Sequence, residues 1–286
     1  MPVRGNILYC PICAHPQSQI NLVICERCSC DLGAPNVNIV STEDELNALK
    51  LRYEEAKDFT KKNSTEVALN RFESHFNANV KAVINISLKT LLNWVLNTSS
   101  YKTYHRAVDE GLRKVADLNN DRKRTAIDSL FYGTHGRDIY YAALTLNSQG
   151  LESYGHCRVI LDENLIENRA STLEENSFNF VKTHKINFEK LDIPNGYRST
   201  WGDKLKLTVA KLHLRLTSSS SENDFDNLVL KNARDRNNDE FIEIHIYNYL
   251  SSYVIKSVFI PKPKNDKDKI DVMAIEGKLS TKVNIY

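Results

Sequence analysis

The sequence predicts an α+β protein of 286 residues arranged in three zones, and three observations support this prediction. Five of the six cysteines lie within the first thirty residues. No proline occurs between Pro35 and Pro194, and apolar residues recur at helical spacing through the first half of that stretch. From Ala126 onward, short apolar segments alternate with turn signals, which is typical of a largely antiparallel sheet. The predicted zones are a small N-terminal module at 1–36, a helical region at 37–125 and a sheet domain at 126–286.

The N-terminal cysteines form two Cys-x-x-Cys pairs separated by eleven residues. Each pair places two thiolates on one tight turn, and four thiolates complete the tetrahedron that Zn²⁺ prefers. Because the segment is too short for a hydrophobic core, it needs a metal to fold. We therefore predict a structural zinc ribbon that serves as a staple, a protein-docking module or an RNA contact. Its expected ligands are Cys10, Cys13, Cys25 and Cys28, with Cys30 and His15 as spare candidates and Cys30 able to replace Cys28.

Helix signals dominate the middle of the chain. Thr42 followed by Glu45 has the spacing of a capping box, which predicts a helix start. A second helical stripe runs from Val67 to Val83, and Ser87 is placed to cap a third helix. Nothing in the apolar spacing of this zone suggests strands.

The C-terminal zone is predicted to mix strands and helices. Strands are predicted at Ile127–Tyr132, Cys157–Leu161, Ser177–Val181, Phe241–Tyr247 and Val254–Ile260, and helices at Ile139–Ser148 and Lys204–Leu216.

Composition and motifs exclude several classes of function. The formal net charge of +2 does not indicate a large basic surface. No apolar stretch approaches the roughly 20 residues that span a bilayer, and no signal peptide precedes the cysteines, so we expect a cytoplasmic protein without a membrane partner. Phosphate-loop, Rossmann, HExxH and GxSxG patterns do not occur in the sequence.

One alternating segment, 241–246, places two ionisable side chains together. Side chains alternate along a strand, so Glu243 and His245 share one face while Ile242 and Ile244 take the other. Alternation alone is equally consistent with a polar outer face of an antiparallel strand. The functional alternative is a carboxylate and an imidazole that project together into a site.

Three segments, taken in order, resemble a known family. They are 126–136 (Ala-Ile-Asp-Ser-Leu-Phe-Tyr-Gly-Thr-His-Gly), 168–178 (Asn-Arg-Ala-Ser-Thr-Leu-Glu-Glu-Asn-Ser-Phe) and 239–246 (Asp-Glu-Phe-Ile-Glu-Ile-His-Ile). Their order resembles the ADP-ribosyltransferase-like fold of bacterial toxins, over roughly residues 125–262. The Ser-Tyr-Gly segment at 153–155 and the Arg-Ala-Ser and Glu-Ile-His-Ile segments are similar in particular to toxins of phage-defence toxin–antitoxin–chaperone systems of the CmdTAC type. The resemblance implies a split β-sheet catalytic domain at 126–286.

The resemblance also implies site residues. Glu243 matches the late-strand catalytic glutamate, although Phe241 occupies the first position of the family's Glu-x-Glu pair and Glu240 is the nearest substitute. The NAD-contacting positions correspond to Tyr132, Gly133, Thr134, His135, Arg169 and Ser171, with Tyr132 standing where the family has a basic residue and Thr172 following Ser171. From the residues alone, Arg169 could equally pair with Glu174 or Glu175, and Ser171 and Thr172 could cap a turn.

The function implied by the resemblance is that of an NAD-dependent ADP-ribosyltransferase toxin. Its substrates would be NAD⁺ and RNA, in particular mRNA, and its modification would block translation during phage infection. A cognate antitoxin and a chaperone are the implied partners. Two alternatives stay open: a non-catalytic zinc-ribbon module that binds protein or nucleic acid, and a transferase with a protein acceptor.

Overall fold

The N-terminal segment folds around its cysteines. The computed structural model of the protein describes residues 3–97, 100–115, 121–189 and 192–286. The chain begins with an antiparallel hairpin of β1 (Val3–Arg4) and β2 (Ile7–Leu8). Leu8 and Leu32 pack against Cys10 and Cys25 in a separate small core. This core contains few buried side chains, which agrees with the expectation that the segment depends on a metal.

Ten α-helices occur in the described residues. They are α1 (Pro35–Val40), α2 (Glu43–Lys62), α3 (Glu66–Asn79), α4 (Leu88–Leu92), α5 (Tyr104–Asp109), α6 (Asp121–Tyr132), α7 (Ser177–Thr183), α8 (Lys204–Leu212), α9 (Glu222–Val229) and α10 (Asp266–Lys278). A π-helical turn at Asn93–Asn97 continues α4, and a 3-10 segment at Gly133–Asp138 continues α6.

The remaining strands form one eight-stranded sheet. They are β3 (Lys81–Ile86), β4 (Ile139–Thr145), β5 (Cys157–Leu161), β6 (Ala170–Leu173), β7 (Arg198–Thr200), β8 (Glu243–Tyr247), β9 (Ile255–Ile260) and β10 (Lys282–Ile285). Their order is β10-β9-β5-β3-β4-β8-β6-β7. Only the β9–β10 pair is parallel, and all other pairs in this sheet are antiparallel. The prediction of an α+β protein with a largely antiparallel sheet is confirmed.

Both faces of the sheet are covered. On one face, Ile244 and Ile246 of β8, together with the preceding Ile242, join the main core with side chains of α2, α3, α8, α9 and α10. Successive side chains of a strand alternate between the two faces, so Glu243 and His245 lie on the other face. A second apolar cluster, supplied mainly by α6 and α7, packs there. The two ionisable residues are therefore enclosed between the sheet and these helices.

Two segments predicted as strands are helices. Residues 127–132 belong to α6, where the buried residues Ile127, Leu130 and Phe131 have the i, i+3, i+4 spacing of a helix face. Residues 177–181 belong to α7, which is capped by Asn176 through a hydrogen bond of 3.0 Å from the Phe178 amide to its side-chain oxygen. Both segments are predicted as strands because they are rich in aromatic and β-branched residues. The helical period of their apolar residues is the correct signal.

The opposite error occurred at 139–148, which was predicted as a helix and contains strand β4. Six of the seven residues of β4 are buried, because the strand lies inside the sheet with packed layers on both sides. A strand buried on both faces shows a continuous apolar run without alternation, and such a run cannot be distinguished from a buried helix by period alone.

The predicted helical region also supplies a strand. Strand β3 lies between β4 and β5, with Val83 paired to Ala143 and to Ile160. The helical stripe predicted from Val67 to Val83 therefore ends with α3 at Asn79, and the region at 37–125 shares one sheet with the C-terminal zone. Within that region, residues 98–99 and 116–120 lie outside the described residues.

The two predicted helix caps have different outcomes. The Ser87 hydroxyl accepts a hydrogen bond of 3.1 Å from the Thr90 amide and caps α4, as predicted. Helix α2 does follow Thr42, but the capping box is wrong because neither side chain makes the expected bond. Instead, the buried Glu45 carboxylate accepts hydrogen bonds from the Arg198 guanidinium and from the Gly196 amide, the latter at 2.7 Å.

Across the described residues, no helix has both the length and the apolar character needed to cross a bilayer.

Candidate functional site

The N-terminal cysteines form a cluster suited to a metal ion. The Sγ atoms of Cys10, Cys25, Cys28 and Cys30 all lie within 4.8 Å of one another. Four thiolates around Zn²⁺ at about 2.3 Å would be about 3.8 Å apart, so the cluster has the size of a tetrahedral Cys₄ site. Cys13 also lies close, with its Sγ 3.7 Å from that of Cys25. Five thiols therefore surround a site that needs four.

The two Cys-x-x-Cys turns have the same local geometry. Backbone amides of Ile12 and Cys13 donate to Cys10 Sγ at 3.3 and 3.2 Å, and those of Arg27 and Cys28 donate to Cys25 Sγ at 3.4 and 3.5 Å. Burial raises the pKa of Cys10. Hydrogen bonds from the Cys13 amide, the Cys30 thiol and the Ile12 amide lower it by more, so the pKa falls to about 5. Amide donors of this kind stabilise thiolates, the form that binds metal. The first cysteine of each pair is the best-prepared ligand.

A short helix connects this cysteine module to the sheet. Helix α1 begins at Pro35, directly after the module, and its Asn36 side chain is fully buried. Asn36 Nδ2 donates to Ser171 Oγ at 3.0 Å, to the Arg169 carbonyl at 3.1 Å and to the His245 carbonyl at 2.9 Å. The module is thereby attached to the backbone of β8 beside Glu243.

Glu243 and His245 are buried together at the start of β8. Both side chains are at most 4% exposed, and Glu243 Oε2 lies 3.0 Å from His245 Nε2. Glu243 Oε2 also accepts a hydrogen bond of 2.8 Å from the Ser177 amide at the start of α7. Glu243 Oε1 has only a long contact of 3.5 Å with Asn176 among the described residues. The prediction of a shared face is confirmed, and the alternative of a solvated outer face is wrong.

Tyr132 fixes the ring orientation of His245. Its hydroxyl is hydrogen-bonded to His245 Nδ1, and burial raises the pKa of Tyr132 well above its usual range, so the phenol stays protonated and donates. Since Nδ1 then accepts, Nε2 carries the proton and donates to Glu243. Tyr132, His245 and Glu243 form one chain of hydrogen bonds that orients the carboxylate.

Glu243 is also part of the wall of a cleft of about 540 Å³. This volume lies within the range of roughly 300 to 1,000 Å³ that is typical of small-molecule sites. Aromatic rings of Tyr141, Tyr154 and Phe178 contribute to the wall. Its ionisable residues are Lys89, Lys102, His105, Arg113, Asp121, Arg124, Asp128, Arg236 and Glu243, with the tyrosines in addition. Five cationic against three acidic side chains favour an anionic ligand.

Arg124 is the most notable cation of this cleft. Its guanidinium lies over the rings of Tyr141, at 4.6 Å, and of Phe178, at 4.5 Å. Burial lowers the pKa of Arg124, but Tyr141, Asp128 and Glu243 together raise it above its ordinary value, so the charge is retained. The buried Nη1 atom makes no hydrogen bond within the described part of the chain; its closest acidic neighbour is Asp128 Oδ1 at 3.6 Å. A buried N–H group without a partner is available to an anion.

A second buried polar group faces the same cleft. Asp128 Oδ2 lies 2.9 Å from His105 Nε2, and Asp128 Oδ1 accepts the Tyr141 hydroxyl at 2.5 Å. Tyr141 pairs with His245 across β4 and β8, and their ring centroids are 5.1 Å apart. Sequence analysis did not identify Arg124, Asp128 or His105. The only available signal was the i, i+4 spacing of Arg124 and Asp128 on one helix face.

The predicted NAD-contacting residues lie outside the cleft wall. Tyr132 is buried behind it against His245, and Gly133 adopts a left-handed φ of 58° at the junction of α6 and the 3-10 segment. Thr134 is exposed, and the His135 ring packs edge-on against Tyr247 with centroids 6.0 Å apart. The structure thus brings only Tyr132 of this segment to Glu243, through His245.

Arg169 and Ser171 have structural partners. Arg169 Nη1 donates to the carbonyls of Tyr247, Asn248 and Tyr249 at 2.9–3.0 Å, so it pairs with neither Glu174 nor Glu175. Ser171 is buried opposite His245 in the β6–β8 pairing and accepts from Asn36.

Glu240, the nearest substitute for the first glutamate of the family's Glu-x-Glu pair, forms ion pairs with other residues and does not contact Glu243. Glu240 is bound to Lys231 and Arg215, at 2.9 and 2.6 Å, on the protein surface. His245 is therefore the ionisable residue that contacts Glu243, and Glu240 is not.

Comparison of the sequence with models of known protein families and with curated proteins finds no match.

Proposed function

We propose that the protein is an NAD-dependent ADP-ribosyltransferase in which Glu243 is the catalytic carboxylate. The observation that carries this proposal is the arrangement of Glu243. The carboxylate is buried in the wall of the cleft and held through Oε2 by Ser177 and His245, while in the described part of the chain Oε1 has only a long contact. A fixed carboxylate with one oxygen available suits the stabilisation of positive charge that develops during a reaction.

In this proposal Glu243 Oε1 accepts a hydrogen bond from the 2′-hydroxyl of the ribose that carries nicotinamide. The negative charge then stabilises the sugar cation that develops as the bond to nicotinamide breaks. Tyr132 and His245 keep the carboxylate in place, so little reorganisation is needed during the reaction. These two residues support Glu243 and do not themselves touch the substrate.

In this proposal the cleft residues bind NAD⁺. Residues 132–135, Arg169 and Ser171, to which the resemblance assigns this role, do not. Arg124 offers Nη1, which makes no hydrogen bond among the described residues, to a phosphate oxygen, for which a guanidinium is well suited. The rings of Tyr141, Tyr154 and Phe178 are available for stacking with nicotinamide or adenine.

The acceptor and the biological role rest on the sequence resemblance. We assign RNA as the acceptor, and a toxin role that blocks translation during phage infection under an antitoxin and a chaperone. Incubation of the protein with NAD⁺ labelled in the ADP-ribose part, together with RNA, DNA or cell-extract protein, tests the acceptor. Label in RNA supports the assignment, and label in protein alone contradicts it.

Expression provides the test of the toxin role. Induction of the wild-type protein is expected to arrest growth of a bacterial host, and Glu243→Gln is expected to relieve the arrest. Gln preserves the size of the side chain, and its carbonyl oxygen can still accept from Ser177 and His245. Equal growth with both proteins contradicts the toxin role.

A non-catalytic binding module is the second candidate function. The observation in its favour is that Ile12 and Ile24, one beside each cysteine turn, are 76% and 51% exposed. Exposed apolar side chains on a small module suit protein docking. In this case Ile12→Ser together with Ile24→Ser would abolish the biological effect, whereas Glu243→Gln would leave it intact.

A further inference from the structure

His105 and Asp128 form a buried pair, and Asp128 also contacts the Tyr141 hydroxyl. His105 lies on α5 and Asp128 on α6, and their side chains are 10% and 3% exposed. The distance of 2.9 Å between His105 Nε2 and Asp128 Oδ2 is that of a hydrogen bond. Both residues belong to the wall of the cleft that contains Glu243.

The partners of Asp128 determine which nitrogen of His105 carries a proton. An ionised carboxylate only accepts hydrogen bonds, so the neutral ring places its proton on Nε2 and leaves a lone pair on Nδ1. Tyr141 donates to the other carboxylate oxygen, and burial raises the pKa of Tyr141 well above its usual range, so this donor keeps its proton. In the described ranges, His105 Nδ1 makes no hydrogen bond with another residue.

Tyr141 connects this pair to the proposed catalytic carboxylate. Its ring lies 5.1 Å from that of His245, which holds Glu243, and its hydroxyl contacts Asp128. The wall of the cleft therefore carries both the Glu243 carboxylate and the His105 imidazole, with Tyr141 in the same wall.

We infer that His105 is the general base of the transfer step, with Asp128 as its positioning residue. The inference rests on the proposed function. The acceptor, an N–H or O–H group, gives its proton to His105 Nδ1 and forms a bond from its heteroatom to C1′ of the ribose. The bond between C1′ and the nicotinamide nitrogen breaks, and its electron pair stays on that nitrogen, so neutral nicotinamide leaves. Asp128 stabilises the resulting imidazolium, which returns its proton to solvent after product release.

A base is needed because an acceptor that fills the cleft excludes bulk water. Water that reaches the sugar cation in an empty acceptor position can lose its proton to the solvent. General base catalysis typically contributes about 10²- to 10⁴-fold. The effect of losing the base is therefore expected on transfer more than on simple cleavage of NAD⁺.

The test is the partition between transfer and release of nicotinamide. Purified wild type and His105→Gln receive labelled NAD⁺ with total cellular RNA and, in parallel, with cell-extract protein. Gln can keep the hydrogen bond to Asp128 through Nε2 but cannot act as a base. We expect the ratio of labelled acceptor to free nicotinamide to fall about 10²-fold or more. Asp128→Asn should lower the same ratio, and His156→Gln, at an exposed histidine outside the cleft, should not.

Two outcomes overturn the inference. If His105→Gln keeps the wild-type ratio, His105 is not the base, while the transferase function stands. If the wild-type protein releases no nicotinamide at all, the proposed function fails and the inference fails with it.

Discussion

The side-chain amide of Asn36 donates a hydrogen bond of 2.9 Å to the backbone carbonyl of His245, although 209 residues separate them in the sequence. Asn36 belongs to α1, which follows the cysteine module, and His245 holds the carboxylate of Glu243. The same amide also reaches Ser171 and Arg169 on the neighbouring segment. Asn36 thus connects the helix that follows the cysteine module to the strand that carries Glu243.

Substitution of Asn36 by Ala should destabilise the protein by about 1 to 3 kcal/mol, because it leaves buried acceptors without a donor. The measurement is the free energy of unfolding in denaturant. Asn47→Ala, at an exposed position of α2, is the matched control and should change stability by less than about 0.5 kcal/mol. Equal stability of the two variants would show that the amide of Asn36 is not structurally important.

Loss of metal should unfold the N-terminal module. Cys25 is buried and belongs to the second cysteine turn, so Cys25→Ser is expected to abolish binding of one zinc ion per chain. Elemental analysis measures the zinc, and hydrogen exchange should show loss of protection first in residues 3–40. Ser29→Gly is the control, since Ser29 has a φ of 60° that Gly adopts readily, and it should retain zinc. Protein purified with zinc in the buffer but containing none would contradict the site.

The buried ion pair of Glu45 and Arg198 gives a prediction about stability. Both side chains are at most 8% exposed, so Glu45→Ala leaves an uncompensated buried cation and should cost about 3 to 5 kcal/mol. The control is the exposed pair of Lys50 and Glu54 on the same helix, where Glu54→Ala should cost at most about 1 kcal/mol. Thermal or denaturant unfolding measures both. Similar losses in the two variants would contradict the importance of the buried pair.

Lys211 predicts a pH dependence of stability. Burial lowers the pKa of Lys211 from 10.5 to about 8, more than the nearby Glu174 and Glu175 raise it. Between about pH 8 and 10.5 the unfolded chain then binds more protons than the folded chain, so this group makes stability rise with pH. Over that range the free energy of unfolding of the wild type should rise by roughly 3 kcal/mol relative to that of Lys211→Met. Because tyrosines titrate in the same range, the difference between the two proteins is the relevant quantity, and a difference independent of pH would contradict the lowered pKa.

Local patterns predicted the parts of the structure that depend on local geometry. The two Cys-x-x-Cys turns, the Ser87 cap, and strands β5, β8 and β9 lie at or near their predicted positions. Alternation along β8 correctly placed Glu243 and His245 on one face. It did not predict their burial, because α6 and α7 cover that face and neither helix was recognised.

The remainder of the site depends on tertiary contacts. Strand β4 was mistaken for a helix because it is buried on both faces, and α6 was mistaken for a strand. His105 and Asp128 are 23 residues apart on separate helices, and no sequence motif joins them. The resemblance implies that Arg169 contacts NAD, and only the folded chain shows that its guanidinium donates to three backbone carbonyls. Residues recruited from several elements by the fold leave no periodic signal.

The proposed activity depends above all on the carboxylate of Glu243. The most direct measurement is the rate of nicotinamide release when the purified protein is supplied with NAD⁺, compared between wild type and Glu243→Gln at equal zinc content and equal thermal stability. The proposed mechanism predicts release by the wild type and a fall of about 10²- to 10³-fold in the variant, the typical effect of removing a preorganised charge-stabilising group. Absence of release by the wild type, or equal rates for the two proteins, would contradict the transferase function.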